Sequence, residues 1–290
     1  MVHEPAVVRK LCLYVDRYSP PYAGLINSVI TRCRQHKISV YAAPPCAEHL
    51  KDFGLEESRN CSMALVLGGD GTILRGLGYF RELNIPVLGV NAGHLGFLAT
   101  VERTGIEETI DRIARGDYFI DTVSVLRAQL PGGQLLHALN DFSINRSMMG
   151  GILHFDLLVD DIQVARIAGD GLVVSTPFGS TAYSLSCGGP ILDPGLPAIL
   201  VAAICPHSLS LRPLVVSDDR CVTVRIGELR STGPVVSADG APSGTLREGQ
   251  CLKVTRENGS CMTVRFQDQP DYYSRLSRKM GWGRRGLDAE

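Results

Sequence analysis

A chain of 290 residues, 44% hydrophobic and 20% charged, has the composition of a soluble globular protein and is long enough for two domains. Its formal net charge of -1 argues against a nucleic-acid footprint or a polybasic membrane contact. The nine cysteines include no CxxC pair, and no apolar run approaches a membrane span of ~20 residues, which argues against a disulfide scaffold and a spanning helix.

Residues 7–15 read as a first strand, and residues 22–35, with Leu25, Ile26, Val29 and Ile30, as an amphipathic helix. Residues 38–41 form a second strand pattern, followed by a Pro44-Pro45 break. The apolar run Ala64-Leu65-Val66-Leu67 reads as a buried third strand and leads into Gly68-Gly69-Asp70-Gly71-Thr72. Ile73, Leu74, Leu77 and Phe80 then recur at helical spacing, so the glycines mark a strand-to-helix turn. Glycine permits positive φ and a close approach of backbone N–H groups to an anion. A turn needs the glycines but not Asp70, whereas phosphate chemistry uses both. Residues 86–90 read as a fourth strand, ending at Asn91. Strands alternating with helices predict a parallel sheet, with ligands beyond the carboxyl ends of its strands.

From about residue 120 the pattern changes to short alternating runs: 123–130, 135–139, 142–145, 155–159, 164–167 and 172–174, then 214–216, 222–224, 235–236, 252–254 and 262–264. Turn chemistry at Pro131-Gly132-Gly133 and Glu257-Asn258-Gly259 separates them, predicting a mostly antiparallel sandwich. A helical insertion is predicted near residues 180–186 and a C-terminal helix at 272–280. Without a linker between them, the two halves are expected to share a binding cleft.

Two further constellations carry chemistry. Asn140-Asp141 lies between strand runs; an Asn offers donors and an acceptor for an adenine edge or a ribose, although the pair alone is commonly a turn. In residues 170–183 a strand passes Pro177 and Gly179 into Ser180-Thr181, which read as a hydroxyl-capped helix start. The hydroxyls of Thr181, Tyr183 and Ser186 could serve a phosphate or ribose.

Together with Asn91-Ala92-Gly93-His94-Leu95-Gly96-Phe97, Gly188-Gly189-Pro190-Ile191 and Pro206-His207-Ser208-Leu209-Ser210, these motifs make the chain resemble the NAD kinase family over nearly its whole length, to Trp282-Gly283. The loop at 68–72 is shared with diacylglycerol, sphingosine and phosphofructokinase families, whereas residues 170–190 are specific to NAD kinases. The resemblance implies a Rossmann-like α/β domain (1–118), a β-rich NAD-binding domain of sandwich type (119–266) and a tail (267–290) packing on the first domain. It implies transfer of the ATP γ-phosphate, or a polyphosphate phosphate, to the 2′-hydroxyl of the adenosine ribose of NAD, giving NADP, with Mg²⁺ and no dedicated protein metal cage.

By the same resemblance Asp70 is the catalytic base, while Gly68, Gly69, Gly71 and Thr72 approach the phosphates. Asn91, Phe97, Asn140, Asp141, Asp170, Thr181, Ala182, Tyr183, Ser186 and His207 bind NAD. His207 lies where family members pack subunits, implying a homodimer or homotetramer. The chain departs from the family pattern at Asp141 (often Glu), Phe178 (usually Thr), Leu98 (often aromatic) and Ala241 (often an amide).

Plainer readings stand beside these. His94 reads as a structural histidine, Cys205-Pro206-His207 lacks further zinc ligands, and Cys187 lacks a base partner. The Arg275, Arg278, Lys279, Arg284 and Arg285 cluster reads as a solvated face. The rival functions are a diacylglycerol- or sphingosine-type lipid kinase and a non-catalytic dinucleotide sensor. No secretory signal is read at the N-terminus, so the expected compartment is the cytoplasm, with neither nucleic acid nor membrane as partner.

Overall fold

The computed structural model describes residues 7–16, 20–91, 96–99, 101–147, 151–229, 232–267 and 272–282. Ala92-Gly93-His94-Leu95, Gly283, Arg284 and Arg285, all named above, lie outside the described residues. The chain divides into two units, Met1–Thr122 with Cys261–Glu290, and Val123–Ser260.

The first unit contains β1 (Lys10–Tyr14), α1 (Pro20–Gln35), β2 (Ser39–Ala42), α2 (Ala47–Leu50), β3 (Met63–Gly68), α3 (Asp70–Arg81), β4 (Val87–Asn91), β5 (Val101–Glu102) and α4 (Ile106–Arg115). Its strands run in the order β2-β1-β3-β4, every pair parallel. All residues of β3 are buried, as expected of a parallel strand covered on both faces. The helical periodicity works as read: Leu25, Ile26 and Val29 of α1 and Ile73, Leu77 and Phe80 of α3 are buried. In the β3–β4 register Gly68 stands opposite Asn91, so the glycine loop and Asn91 leave the sheet side by side at its carboxyl end.

The second unit takes in β6 (Phe119–Gln129), which starts before it, β7 (Leu135–Ala138), β8 (Asp141–Asn145), β9 (Leu153–Val159), β10 (Ile162–Gly169), β11 (Gly171–Ser175), α5 (Tyr183–Ser186), β12 (Ala198–Ile204), β13 (Leu214–Ser217), β14 (Val222–Ile226), β15 (Val235–Ala238) and β16 (Ala241–Thr245). The last strand, β17 (Cys251–Arg265), begins here and ends in the first unit. One sheet has the antiparallel order β13-β12-β11-β8-β15-β16; in another, β10, β9, β14 and the start of β17 pair antiparallel. Phe142, Ile144, Leu172, Val174 and Val236 from the first sheet share one core with Phe155, Leu157, Val222, Val224 and Leu252 from the other. This is a sandwich core built from alternate strand residues.

Three strands were not among the sequence runs. Strand β12 is an unbroken apolar run, Ala-Ile-Leu-Val-Ala-Ala-Ile, whose period is hidden because it lies inside a sheet. Strand β16 carries Pro242 and Gly244, tolerated because it is an edge strand with a register shift against β15. Strand β5 has only two residues. Conversely, Glu257-Asn258-Gly259 does not turn the chain; β17 runs through it, held by pairing of Cys251 to Val254 with β14 and of Thr263 with β4. Pairing outweighs the local turn preference.

After β17 the chain forms α6 (Tyr272–Met280), which belongs to the first unit. All nine cysteines are free thiols, and among the described residues no helix is long and apolar enough to cross a membrane.

Candidate active site

The loop at 68–72 is the strand-to-helix turn read from the sequence: Gly68 ends β3, Gly69 caps α3 with extended backbone, and Asp70 is its first residue. The reason for the glycines differs from the expectation, because none of Gly68, Gly69 and Gly71 has positive φ. Gly68 is required by space instead: a Cβ there would lie 2.5 Å from Thr72 Cβ. Thr72 and Ile73 donate their N–H groups to Gly69 O, while the leading N–H groups of a helix have no intrahelical acceptor and face an incoming anion.

Asp70 is held by groups distant in sequence. Phe97 N–H donates to Oδ2 at 2.9 Å and Leu98 N–H to Oδ1 at 3.0 Å. Lys279 Nζ lies 3.4 Å from Oδ2 and 4.0 Å from the centroid of the Phe97 ring. Gly96 makes room for this arrangement: a Cβ on it would stand 1.9 Å from Asp70 Oδ1. The basic tail is therefore not simply a solvated face. Lys279 reaches Asp70, Arg278 pairs with Glu102 at 3.5 Å, and Arg275 is buried.

In the second unit a cavity of about 380 Å³ is lined by Asn140, Asp141, Ser143, Asn145, Ala182, Tyr183, Ser237, Asp239 and Gly240. Four residues named from the sequence, Asn140, Asp141, Ala182 and Tyr183, meet here. Asp141, Ser143 and Asn145 alternate along β8 and share the face opposite Phe142 and Ile144. Tyr183 Oη donates to Asn145 Oδ1 at 3.2 Å, and Asn145 Nδ2 donates to Ser143 Oγ at 2.9 Å, giving a polar row along one wall. Across the β8–β15 register Ser143 stands opposite Ser237.

Asp239, which the sequence reading left without a role, organises this pocket. At φ 48, its carboxylate accepts the N–H groups of Leu139 (2.9 Å), Asn140 (2.7 Å) and Asp141 (3.2 Å). Asp141 is 4% exposed. Burial, with the Asp239 carboxylate beside it, lifts the Asp141 carboxyl to about 7, against the opposing pull of the Tyr183 backbone N–H. Asp239 is also raised, by burial, with its three N–H donors pulling the other way.

The segment 178–186 is not one capped helix. A 3-10 turn, Phe178–Thr181, and α5 are separated at Ala182. The capping hydroxyl belongs to Thr176, which accepts Gly179 N–H at 2.9 Å. Ser180 is fully buried and exchanges hydrogen bonds with the backbone of Leu192, which explains its place in the motif without a ligand. Thr181, Ser186, Asp170 and His207 do not line the cavity. Asp170 pairs with Arg146 at 2.9 Å, and His207 N–H donates to Ala168 O at 2.8 Å. Burial lifts the Cys187 thiol, in keeping with an unreactive side chain.

Among the described residues no three His, Cys, Asp or Glu side chains converge on a metal position.

Comparison with known proteins covers both units. The family model of the ATP-NAD kinase N-terminal domain matches residues 22–118, and that of the ATP-NAD kinase C-terminal domain matches residues 139–266. The chain is 34% identical to an NAD kinase of Clostridium botulinum (strain Kyoto / Type A2) over 90% of its own length and 95% of the relative. It is 31% identical to an NAD kinase of Syntrophotalea carbinolica over 96% of its length and 100% of that protein. Among solved structures, yeast NADH kinase complexed with NADH superposes with a TM-score of 0.87 at 24% identity, covering 98% of this chain and 90% of that one. An NAD kinase from Archaeoglobus fulgidus in complex with ATP gives 0.71 at 22% identity, covering 94% and 97%.

Proposed function

The chain belongs to the NAD kinase family of phosphotransferases, and from that premise we propose the roles of its residues in moving the γ-phosphate of ATP to the 2′-hydroxyl of the adenosine ribose of NAD. The family match to residues 139–266 includes the segment that distinguishes an NAD kinase from a lipid kinase. The observation carrying the catalytic reading is the seating of Asp70 on the first residue of α3, where helix N–H groups and a carboxylate meet.

Asp70 is the general base. As the ribose oxygen forms its bond to the γ-phosphorus, the bond to the β-phosphate oxygen breaks, ADP leaves, and the hydroxyl proton passes to the carboxylate. Such a base is worth ~10²- to 10⁴-fold, and alignment of hydroxyl and phosphate supplies much of the rest. Gly68, Gly69, Gly71 and Thr72 form the phosphate approach. Mg²⁺ arriving with the ATP phosphates would spread the charge of the transferred group, and Asp70 is the residue that would help to hold it.

The pocket of the second unit takes the adenosine half of NAD. Asn140 and Tyr183 supply hydrogen-bonding groups, and Asp141 meets the ribose. Because its carboxyl is lifted to about 7, it can donate as well as accept near neutrality. Asn91, Phe97, Asp170, Thr181, Ala182 and Ser186 complete the dinucleotide contacts. By the family resemblance, the loop around His207 packs against a second copy in a homodimer or homotetramer. Free thiols throughout support a reducing, cytoplasmic setting.

The test is incubation with NAD or NADH, paired with ATP or polyphosphate and Mg²⁺, following NADP(H) formation, beside size-exclusion chromatography. Formation of NADP from ATP and NAD is expected. Binding without turnover under every pairing would favour the sensor, and turnover with polyphosphate alone would replace the donor.

A further inference from the structure

The Asp70 carboxylate has an uneven set of partners. Oδ2 takes both Phe97 N–H and Lys279 Nζ, while Oδ1 takes Leu98 N–H alone among the described residues. A carboxylate oxygen offers about two lone-pair directions, so Oδ1 keeps one open for a proton. Lys279 is itself fixed. Its ammonium rests over the Phe97 ring at 4.0 Å, and Arg278 beside it pairs with Glu102 at 3.5 Å. Arg275 and Leu276 of α6 are buried, and the end of α6 is tied by Trp282 N–H to Ser277 O at 3.1 Å. Lys279 lies 209 residues from Asp70 in sequence, so only the return of α6 to the first unit brings them together.

We propose that Lys279 is a positioning residue for phosphoryl transfer: it occupies the second lone pair of Asp70 Oδ2 and turns Oδ1 toward the ribose hydroxyl. The C-terminal helix is then part of the catalytic machinery rather than a packing tail. This rests on the reading of Asp70 as the base. Two backbone N–H groups hold the carboxylate by its two oxygens, and the cationic partner on Oδ2 adds to that hold from the outer side. A small misplacement of a reacting group costs up to ~10²-fold in rate.

The test compares Lys279→Met, Lys279→Gln and Lys279→Arg with Asp70→Asn and the double variant Asp70→Asn/Lys279→Met. Steady-state kinetics with NAD and ATP are measured alongside thermal melting. Both neutral variants are expected to melt near the parent, because Arg275 and Leu276 still anchor α6. Their kcat is expected to fall ~10- to 100-fold with both KM values within ~3-fold. Lys279→Arg should recover most of the loss, and Lys279→Met should cost nothing further on top of Asp70→Asn.

Three results would overturn the proposal: parental kcat in the neutral variants, a loss appearing only in KM for ATP, or unfolding of both neutral variants. The second would make Lys279 a phosphate ligand, and the third a structural latch. If Asp70→Asn itself retains turnover, the base reading fails instead, and the two failures are told apart.

Discussion

At the amino end of α3 the Asp70 carboxylate meets donors: two backbone N–H groups and the Lys279 ammonium. In the second unit Asp141 is buried next to another acid, Asp239, which has itself taken three backbone N–H groups. The same side chain is thus prepared for two tasks. In the roles proposed above, one is an acceptor for a proton in transit, and the other, its carboxyl lifted to about 7 by burial beside Asp239, is a recognition group. Environment, more than residue type, separates catalysis from binding.

The most direct way to break this comparison is Asp70→Asn. The substitution keeps the shape but removes the base and leaves one of the two backbone N–H donors facing an NH2 group, and kcat is expected to fall by at least ~10²-fold in a folded protein. Next is Gly96→Ala, whose methyl group would enter the space of Asp70 Oδ1. Displacing the carboxylate without changing it should lower kcat ~10- to 100-fold with NAD binding retained, measured by calorimetry beside turnover.

On the other side of the comparison, Asp239→Ala strands three N–H groups and puts alanine at a φ of 48. Urea unfolding should show a loss of about 1–3 kcal/mol, and KM for NAD should rise. The mildest change is Asp141→Asn. Unfolded, Asp141 loses its proton near pH 4, whereas folded it holds it to about 7. The folded state therefore binds more protons across that window, and stability falls as pH rises through it. The neutral variant lacks this slope, so its stability relative to the parent should improve by about 2–3 kcal/mol between pH 5 and pH 8, read from melting at each pH.

The legible parts of the molecule are those written in short stretches. Glycines between an apolar run and a helical period announce the turn at 68–72, and alternation announces most strands of the sandwich. Alternation in β8 likewise places Asp141, Ser143 and Asn145 on one face, so a ligand site at the first implicates the other two. Thr176 follows directly on the end of β11, so its hydroxyl reads locally as part of a strand although it accepts Gly179 N–H.

What stayed hidden was long-range. Asp239 contacts residues about 100 positions away, and Lys279 belongs to a basic run whose composition alone suggests a solvated surface. No local period distinguishes a lysine facing water from one facing a carboxylate.

By itself the sequence determined the chemistry and the family, because phosphate-binding turns and acceptor motifs are local patterns of residue type. Tertiary structure decided what each acid experiences. Lone pairs are filled, and protons retained, by groups that only chain folding brings within hydrogen-bonding reach. Asp70 and Asp141 are both aspartates in the sequence; Gly96, Lys279 and Asp239 make them different.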